Sequence, residues 1–211
     1  MADVGEVRTA VRLGAAAVGL VSAMPSGPGP IPEPLIAELA DLVPPGVGSF
    51  LLTSLQDAAG IVAQQRRCRA NTVQIVDRLT AGTYHDLRAE LPGISLVQVI
   101  HVTDEASFAE AVAVAPFVHA LLLDSGNQSL AVKELGGTGR RHDWSVSRRI
   151  REAVGVPVWL AGGLNPGNAA EAVTAVGPFG LDLCSGVRTG GRLDAAKLEA
   201  FFHAVERTNP V

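Results

Sequence analysis

Leu121–Asp143, LLLDSGNQSLAVKELGGTGRRHD, is the stretch on which the fold turns. Leu121, Leu122 and Leu123 form an apolar run too short for a helix, and the run ends at a carboxylate. This predicts a buried strand that delivers Asp124 to its C-terminal end. A glycine-rich loop, Gly136-Gly137-Thr138-Gly139, comes next, and then a helix. Two later segments repeat the design: LAGGLNP (Leu160–Pro166) turns at Gly162-Gly163, and LDLCSGV (Leu181–Val187) turns at Ser185-Gly186. A glycine just past a strand lets the backbone come close to a ligand, and the start of the next helix offers free N–H groups to an anion. Two such units in succession are what a phosphate site after strands seven and eight of a (β/α)8 barrel requires.

Composition sets the class. The chain has 211 residues, enough for one domain with a full core. It is 47 % hydrophobic but only 4 % aromatic, which suits buried parallel strands under alanine-rich helices. A net charge of −4 without a basic patch argues against nucleic acid as a partner. No apolar run is long enough for a membrane span, and Met1–Glu6 has neither the basic start nor the apolar core of a signal peptide. Cys68 and Cys184 are too few and too far apart for a disulfide framework or a metal knuckle. The expectation is a cytoplasmic protein with reduced thiols and neither metal nor cofactor.

Outward from the opening stretch, the chain alternates strands and helices. Strands are predicted at Ala17–Val21, Ser49–Thr53, Thr72–Val76, Leu96–His101, Ala120–Asp124, Val158–Ala161 and Gly180–Cys184. Helices are predicted at Asp3–Gly14, Pro32–Leu42, Asp57–Arg67, Tyr84–Glu90, Glu105–Ala115, Ser145–Ala153, Pro166–Val176 and Asp194–Val205. Seven strands and eight helices make an α/β, TIM-type (β/α)8 barrel that lacks its first strand, because such a barrel opens on a strand and this chain opens on a helix. An absent strand leaves Ala17–Val21 and Gly180–Cys184 with open edges. A few buried, unpaired backbone groups at about 1–3 kcal/mol each approach the stability of a whole domain. The expectation is a single domain over residues 1–211 that is incomplete at its N-terminus, with the open edge as a route to homo-oligomers.

Four segments resemble phosphoribosylanthranilate isomerase of tryptophan biosynthesis. LLLDS (Leu121–Ser125) is similar to the family's sixth strand, which carries a catalytic aspartate. GGTGRRHDW (Gly136–Trp144) resembles its glycine loop, with His142 in place of an aromatic residue. LAGGLNPGN (Leu160–Asn168) resembles the seventh-strand motif, and DLCSGV (Asp182–Val187) the eighth, with Cys184 where serine is usual. GAAAVGLV (Gly14–Val21) is similar to the second strand. Three departures accompany these. The family's Lys-Ile-Cys-Gly-like first strand, whose cysteine is the general base, has no counterpart. The loop AMPSGPGPI carries no arginine for an anthranilate carboxylate. The family's Val-Gln-Leu-His-Gly has become Val73-Gln74-Ile75-Val76-Asp77.

The resemblance implies an Amadori rearrangement of an aminoaldose to an aminoketose on a phosphorylated sugar substrate. A general acid opens the ribose ring and a general base removes the C2 proton. It assigns the acid to Asp124, which by position alone could equally cap the following loop. It assigns phosphate to Gly162, Gly163, Ser185 and Gly186, which could also be plain turn residues. Asp182, Gln74 and His101 are candidate substrate contacts, with Asp182 and His101 open to structural roles instead. Gly137, Thr138 and Gly139 form either a loop over the site or a connector. Arg140, Arg141 and His142 form either a source of positive charge or a solvated basic turn. The rival class is a divergent or non-catalytic barrel that binds another phosphorylated ligand.

Overall fold

In a computed structural model, described at every residue except 26, 28, 127–134, 136–140 and 209–211, the chain builds a seven-stranded, wholly parallel sheet wrapped by helices. The strands are β1 (Ala17–Val21), β2 (Gly48–Thr53), β3 (Thr72–Ile75), β4 (Ser95–His101), β5 (Ala120–Asp124), β6 (Val158–Leu160) and β7 (Gly180–Leu181), and each pairs with the next in chain order. The helices are α1 (Val4–Arg12), α2 (Glu33–Asp41), α3 (Ala58–Cys68), α4 (Tyr84–Glu90), α5 (Glu105–Val114), α6 (Trp144–Ala153), α7 (Ala169–Val176) and α8 (Ala195–Glu206). No described helix is long and apolar enough to cross a membrane.

Local chemistry sets most helix starts. Asp3, Asp57, Thr83, Asp104, Asp143 and Asp194 each accept a hydrogen bond from an N–H in the first turn of the helix they precede. Along the strands, alternate residues serve two layers. Val73, Ile75, Leu96, Ile100, Leu121, Leu123 and Leu160 pack outward against helix residues such as Ile61, Leu87, Ile150 and Leu198. Val97, Val99, Ala120, Leu122 and Ala161 face inward, with Phe50, Leu52 and Trp159 packed against them.

The sheet does not close. β1 pairs only with β2, and β7 only with β6, so the outer edges of both are left without a ladder partner. The Met1 amine reaches into this gap and donates to the Gly19 carbonyl of β1 at 2.5 Å. The interior therefore opens sideways into a cavity of about 550 Å³ that runs from Asp124 and Trp159 past Asp182 to Phe201 of α8.

Two features close the gap from outside. A short hairpin, β8 (Arg188–Thr189) with β9 (Arg192–Leu193), follows β7 and lies against α1. Glu6 of α1 accepts two bonds from the Arg188 guanidinium, at 2.8 and 2.7 Å, and further bonds from the N–H groups of Leu193 and Ala2. The Glu6 and Arg188 side chains are 8 % and 18 % exposed, so the pair is well shielded. Burial alone would raise the Glu6 carboxyl, but the Arg188 guanidinium and the Leu193 and Ala2 amides override it and hold it at about 2.

A shielded pair is costly to break because the surviving charge is left stranded. Arg188→Met should destabilise the fold by about 3 kcal/mol, measured by urea unfolding at pH 7. The depressed Glu6 carboxyl stabilises the fold fully above its ordinary value near 4.5, and that contribution is lost as pH falls toward 2. Glu6→Gln should remove this part of the acid sensitivity, and an unchanged profile between pH 4.5 and 2 would refute the assignment.

Candidate active site

Asp124 ends β5, faces inward, and is 7 % exposed. One of its oxygens accepts the Ser125 N–H at 2.7 Å. Burial raises the carboxyl above the ordinary aspartate range, while the Ser125 N–H and the nearby His101 ring pull it part of the way back. The group is thus held toward its protonated form at the mouth of the cavity it lines.

His101 ends the neighbouring strand in register with Asp124. Its Nε2 lies 2.9 Å from the Val76 carbonyl, which can only accept, so the ring proton sits on Nε2. Its Nδ1 is buried and has no partner among the described residues. Gln74 of β3 lines the same cavity. Asp182 follows β7 and is held by its own N–H, which donates to the Leu160 carbonyl at 2.8 Å. Burial, and then the charge of Asp124, push the Asp182 carboxyl up to about 6. Two carboxyls therefore share one cavity with displaced proton affinities. The predicted strand over Gly180–Cys184 stops at Leu181, so Asp182 and Cys184 are placed by the turn that follows and not by strand alternation.

The glycine turns after β6 and β7 come together. Gly162 and Gly163 both have positive φ, at 87° and 66°, which excludes most other residues. A methyl group on Gly162 would lie 2.9 Å from Ser125 Oγ and 3.1 Å from Ser125 N. A methyl group on Gly186 would lie 1.9 Å from the Leu164 carbonyl oxygen. The turn after β6 is thus wedged between the residue following Asp124 and the Ser185–Val187 turn. Among the described turn and loop hydrogen bonds, the amides of Gly162 and Gly163 donate to nothing.

Asn165 and Asn168 carry no role in the sequence reading, yet both side chains are committed to this turn. Asn165 Nδ2 and Asn168 Nδ2 donate to the Gly163 carbonyl at 3.2 and 3.0 Å. Asn168 Oδ1 accepts the Asn165 N–H, and Asn165 Oδ1 accepts the Gly167 N–H. The signal was present in the NPGN run, since asparagine in a turn commonly bonds nearby backbone.

Gly137, Thr138, Gly139 and Arg140 lie outside the described residues. Arg141 is exposed and already engaged: it forms a two-pronged bond to Glu171 and stacks 3.6 Å above Trp144. His142 is not solvated. It is enclosed and bonded to Ser147 Oγ, and burial lowers it to about 4, so it is neutral near pH 7. Cys68 is buried and its thiol is pushed up to about 11, which makes it unreactive.

Residues 43–204 match the family model described as N-(5'-phosphoribosyl)anthranilate isomerase. The isomerase of that name from Haloferax volcanii is 37 % identical over 195 residues, which cover 92 % of this chain and 84 % of the relative. The crystal structure of phosphoribosylanthranilate isomerase from Thermotoga maritima superposes with a TM-score of 0.81 at 24 % identity, covering 98 % of this chain and 96 % of the other. A crystal structure of such an isomerase in complex with reduced 1-(o-carboxyphenylamino)-1-deoxyribulose 5-phosphate superposes with a TM-score of 0.78 at 22 % identity, covering 98 % and 95 %.

The contact between the two glycine turns can be tested directly. Gly186→Ala should destabilise the chain by about 1–3 kcal/mol, because the Leu164 carbonyl must move to admit the methyl group. Gly155→Ala, whose methyl group meets nothing within 4 Å, should leave the urea midpoint unchanged.

Proposed function

The chain belongs to the N-(5'-phosphoribosyl)anthranilate isomerase family, and on that premise we propose that it converts the phosphoribosylated anthranilate to its aminoketose with Asp124 as the general acid. The isomerase activity and its place in tryptophan biosynthesis come with family membership. The observation that carries the residue assignment is the packing of Gly162 on Ser125. It sets the acid and the glycine turn side by side, so that one substrate can meet both.

In this reading the phosphate lies against the amides of Gly162, Gly163, Ser185 and Gly186, where free N–H groups supply the donors. Asp124, whose carboxyl burial shifts toward its protonated form, gives its proton to the ribose ring oxygen as the C1–O bond breaks and a Schiff base forms. A base then takes the C2 proton and returns it to C1 of the resulting enolamine, while the C2 hydroxyl becomes the ketone. The proton that leaves this hydroxyl restores Asp124, so the sequence balances. Asp182, ionised above about 6, accepts a hydrogen bond from a substrate hydroxyl. Gln74 and His101 complete the polar lining. In the family the base is a cysteine on the first strand, and the gap between β1 and β7, which opens onto both carboxyls, is where a strand carrying it would stand.

One observation favours the rival reading as a binder of another phosphorylated ligand. Arg188, which lines the cavity, is occupied by Glu6 and does not offer a free charge to an anthranilate carboxylate.

Turnover of phosphoribosylated anthranilate, generated in place and followed by loss of its fluorescence, decides between them. Asp124→Asn should lower kcat by about 10²–10⁴, as for loss of a general acid, while phosphate-analogue binding persists. Because the raised Asp124 carboxyl acts in its protonated form, kcat/KM of the wild type should fall as pH rises through its titration, and should fall again as pH drops below about 6, where Asp182 takes up a proton. Full activity in Asp124→Asn would remove the acid assignment. Undetectable wild-type turnover with phosphate binding intact would favour the binder.

A further inference from the structure

Asn168 occupies the N-cap position of α7 but makes no side-chain bond to its own helix. Every described α-helix that opens on aspartate or threonine uses that side chain as a cap. Asparagine is among the best capping residues, so an unused cap forgoes stabilisation. The side chain instead turns back to the glycine turn, donating to the Gly163 carbonyl at 3.0 Å and accepting the Asn165 N–H at 2.9 Å. Asn165 adds a second donor on the same carbonyl.

No peptide bond among the described residues is cis. In a trans peptide the C=O and N–H point in opposite directions. Two donors that fix the Gly163 carbonyl therefore fix the Leu164 N–H as well, aimed away from the asparagine pair. The Leu164 N–H donates to nothing among the described turn and loop hydrogen bonds. Gly163 has positive φ and no side chain, so nothing in the residue itself holds this peptide plane.

We propose that Asn168 is a positioning residue for anion binding: it locks the Gly163–Leu164 peptide so that the Leu164 amide serves as a preset donor to the substrate phosphate. The inference rests on the phosphate site proposed above. It adds a donor, Leu164, and a residue acting through it, Asn168. Presetting matters because a free glycine peptide would have to be ordered when the ligand binds, and the cost would appear as weaker binding. The clamp acts on the phosphate, which is remote from the reacting bond and held equally before and during reaction. Its loss therefore raises KM and leaves kcat nearly unchanged.

Asn168→Ser isolates the clamp. Serine caps a helix about as well as asparagine and carries no charge, but it is too short to reach the Gly163 carbonyl. The thermal midpoint should stay within about 2 °C of wild type. The inhibition constant for inorganic phosphate, and KM, should each rise about tenfold, the size expected for losing one well-placed hydrogen bond to a charged group, with kcat within about twofold. The Leu164 amide resonance should shift with phosphate in the wild type and respond weakly in the variant. Asn168→Gln, which keeps the amide group on a longer arm, should recover part of the affinity. Wild-type phosphate affinity in Asn168→Ser would overturn the clamp while leaving the phosphate site standing. A wild type that neither binds phosphate nor shifts Leu164 would overturn both.

Discussion

Two sheet edges are left here without a backbone ladder, and a carboxylate and a guanidinium hold the ends of the ring together. Parallel strands are stable only when both faces are covered and their edges are paired or shielded. The edges of β1 and β7 meet neither condition by pairing. Glu6 and Arg188, 182 residues apart in the chain, tie α1 to the hairpin that follows β7. The four donors around Glu6 explain why this pair survives away from water: each carboxylate oxygen is bonded twice, so little charge goes unmatched.

The same gap governs the electrostatics of the site. A closed barrel of this kind fills its centre with side chains. This one keeps a cavity that reaches Asp124 and Asp182 from the side. Burial raises both carboxyls, the charge of Asp124 adds to the shift at Asp182, and the Ser125 N–H and the His101 ring oppose the shift at Asp124. The two carboxyls thus have different surroundings, and Asp182 is pushed up to about 6. Paired groups with displaced affinities are the usual arrangement where protons are moved.

Much of this was legible in the chain, and the parts that were not share a physical reason. The Leu121–Asp124 run announces a buried strand because three consecutive large apolar side chains cannot face water. Asp3, Asp57 and Asp194 announce helix starts because capping is local chemistry. The count of seven strands and eight helices anticipates the gap. The end of β7 was overestimated, since LDLCS has strand composition, but its ladder partner β6 ends at Leu160. The β8–β9 hairpin turns at the Gly190-Gly191 pair of RTGGRL, where both glycines have positive φ. The Glu6–Arg188 pair and the Asn168 clamp were beyond reach, because each depends on what a side chain meets in space and neither residue type is diagnostic by itself. His142 shows the converse: flanked by Arg141 and Asp143, it looks solvated, but it is half-buried and bonded to Ser147.

The turns beside Asp124 are built from close backbone approaches. Gly162 lies against Ser125, Gly186 against the Leu164 carbonyl, and the Gly163 carbonyl against two asparagine amides. No side chain fits at Gly162 or Gly186, and two side-chain amides hold the Gly163 carbonyl, so Ser125 and the turns after β6 and β7 pack as one unit. Catalysis by a placed proton donor needs such rigidity, because an error of about 1 Å in substrate position costs about 10²-fold in rate. In the function proposed above, an anion cradle packed against the residue after Asp124 would supply that accuracy whatever the remainder of the ligand is. The aromatic side chains that line the cavity have no comparable constraint. Phe50, Trp159 and Phe179 meet edge to face around an open cavity, and Phe179 remains 69 % exposed. Contacts of that kind tolerate substitution. Substitution at the exposed Phe179 would therefore be expected to disturb the fold less than substitution at Gly162 or Gly186.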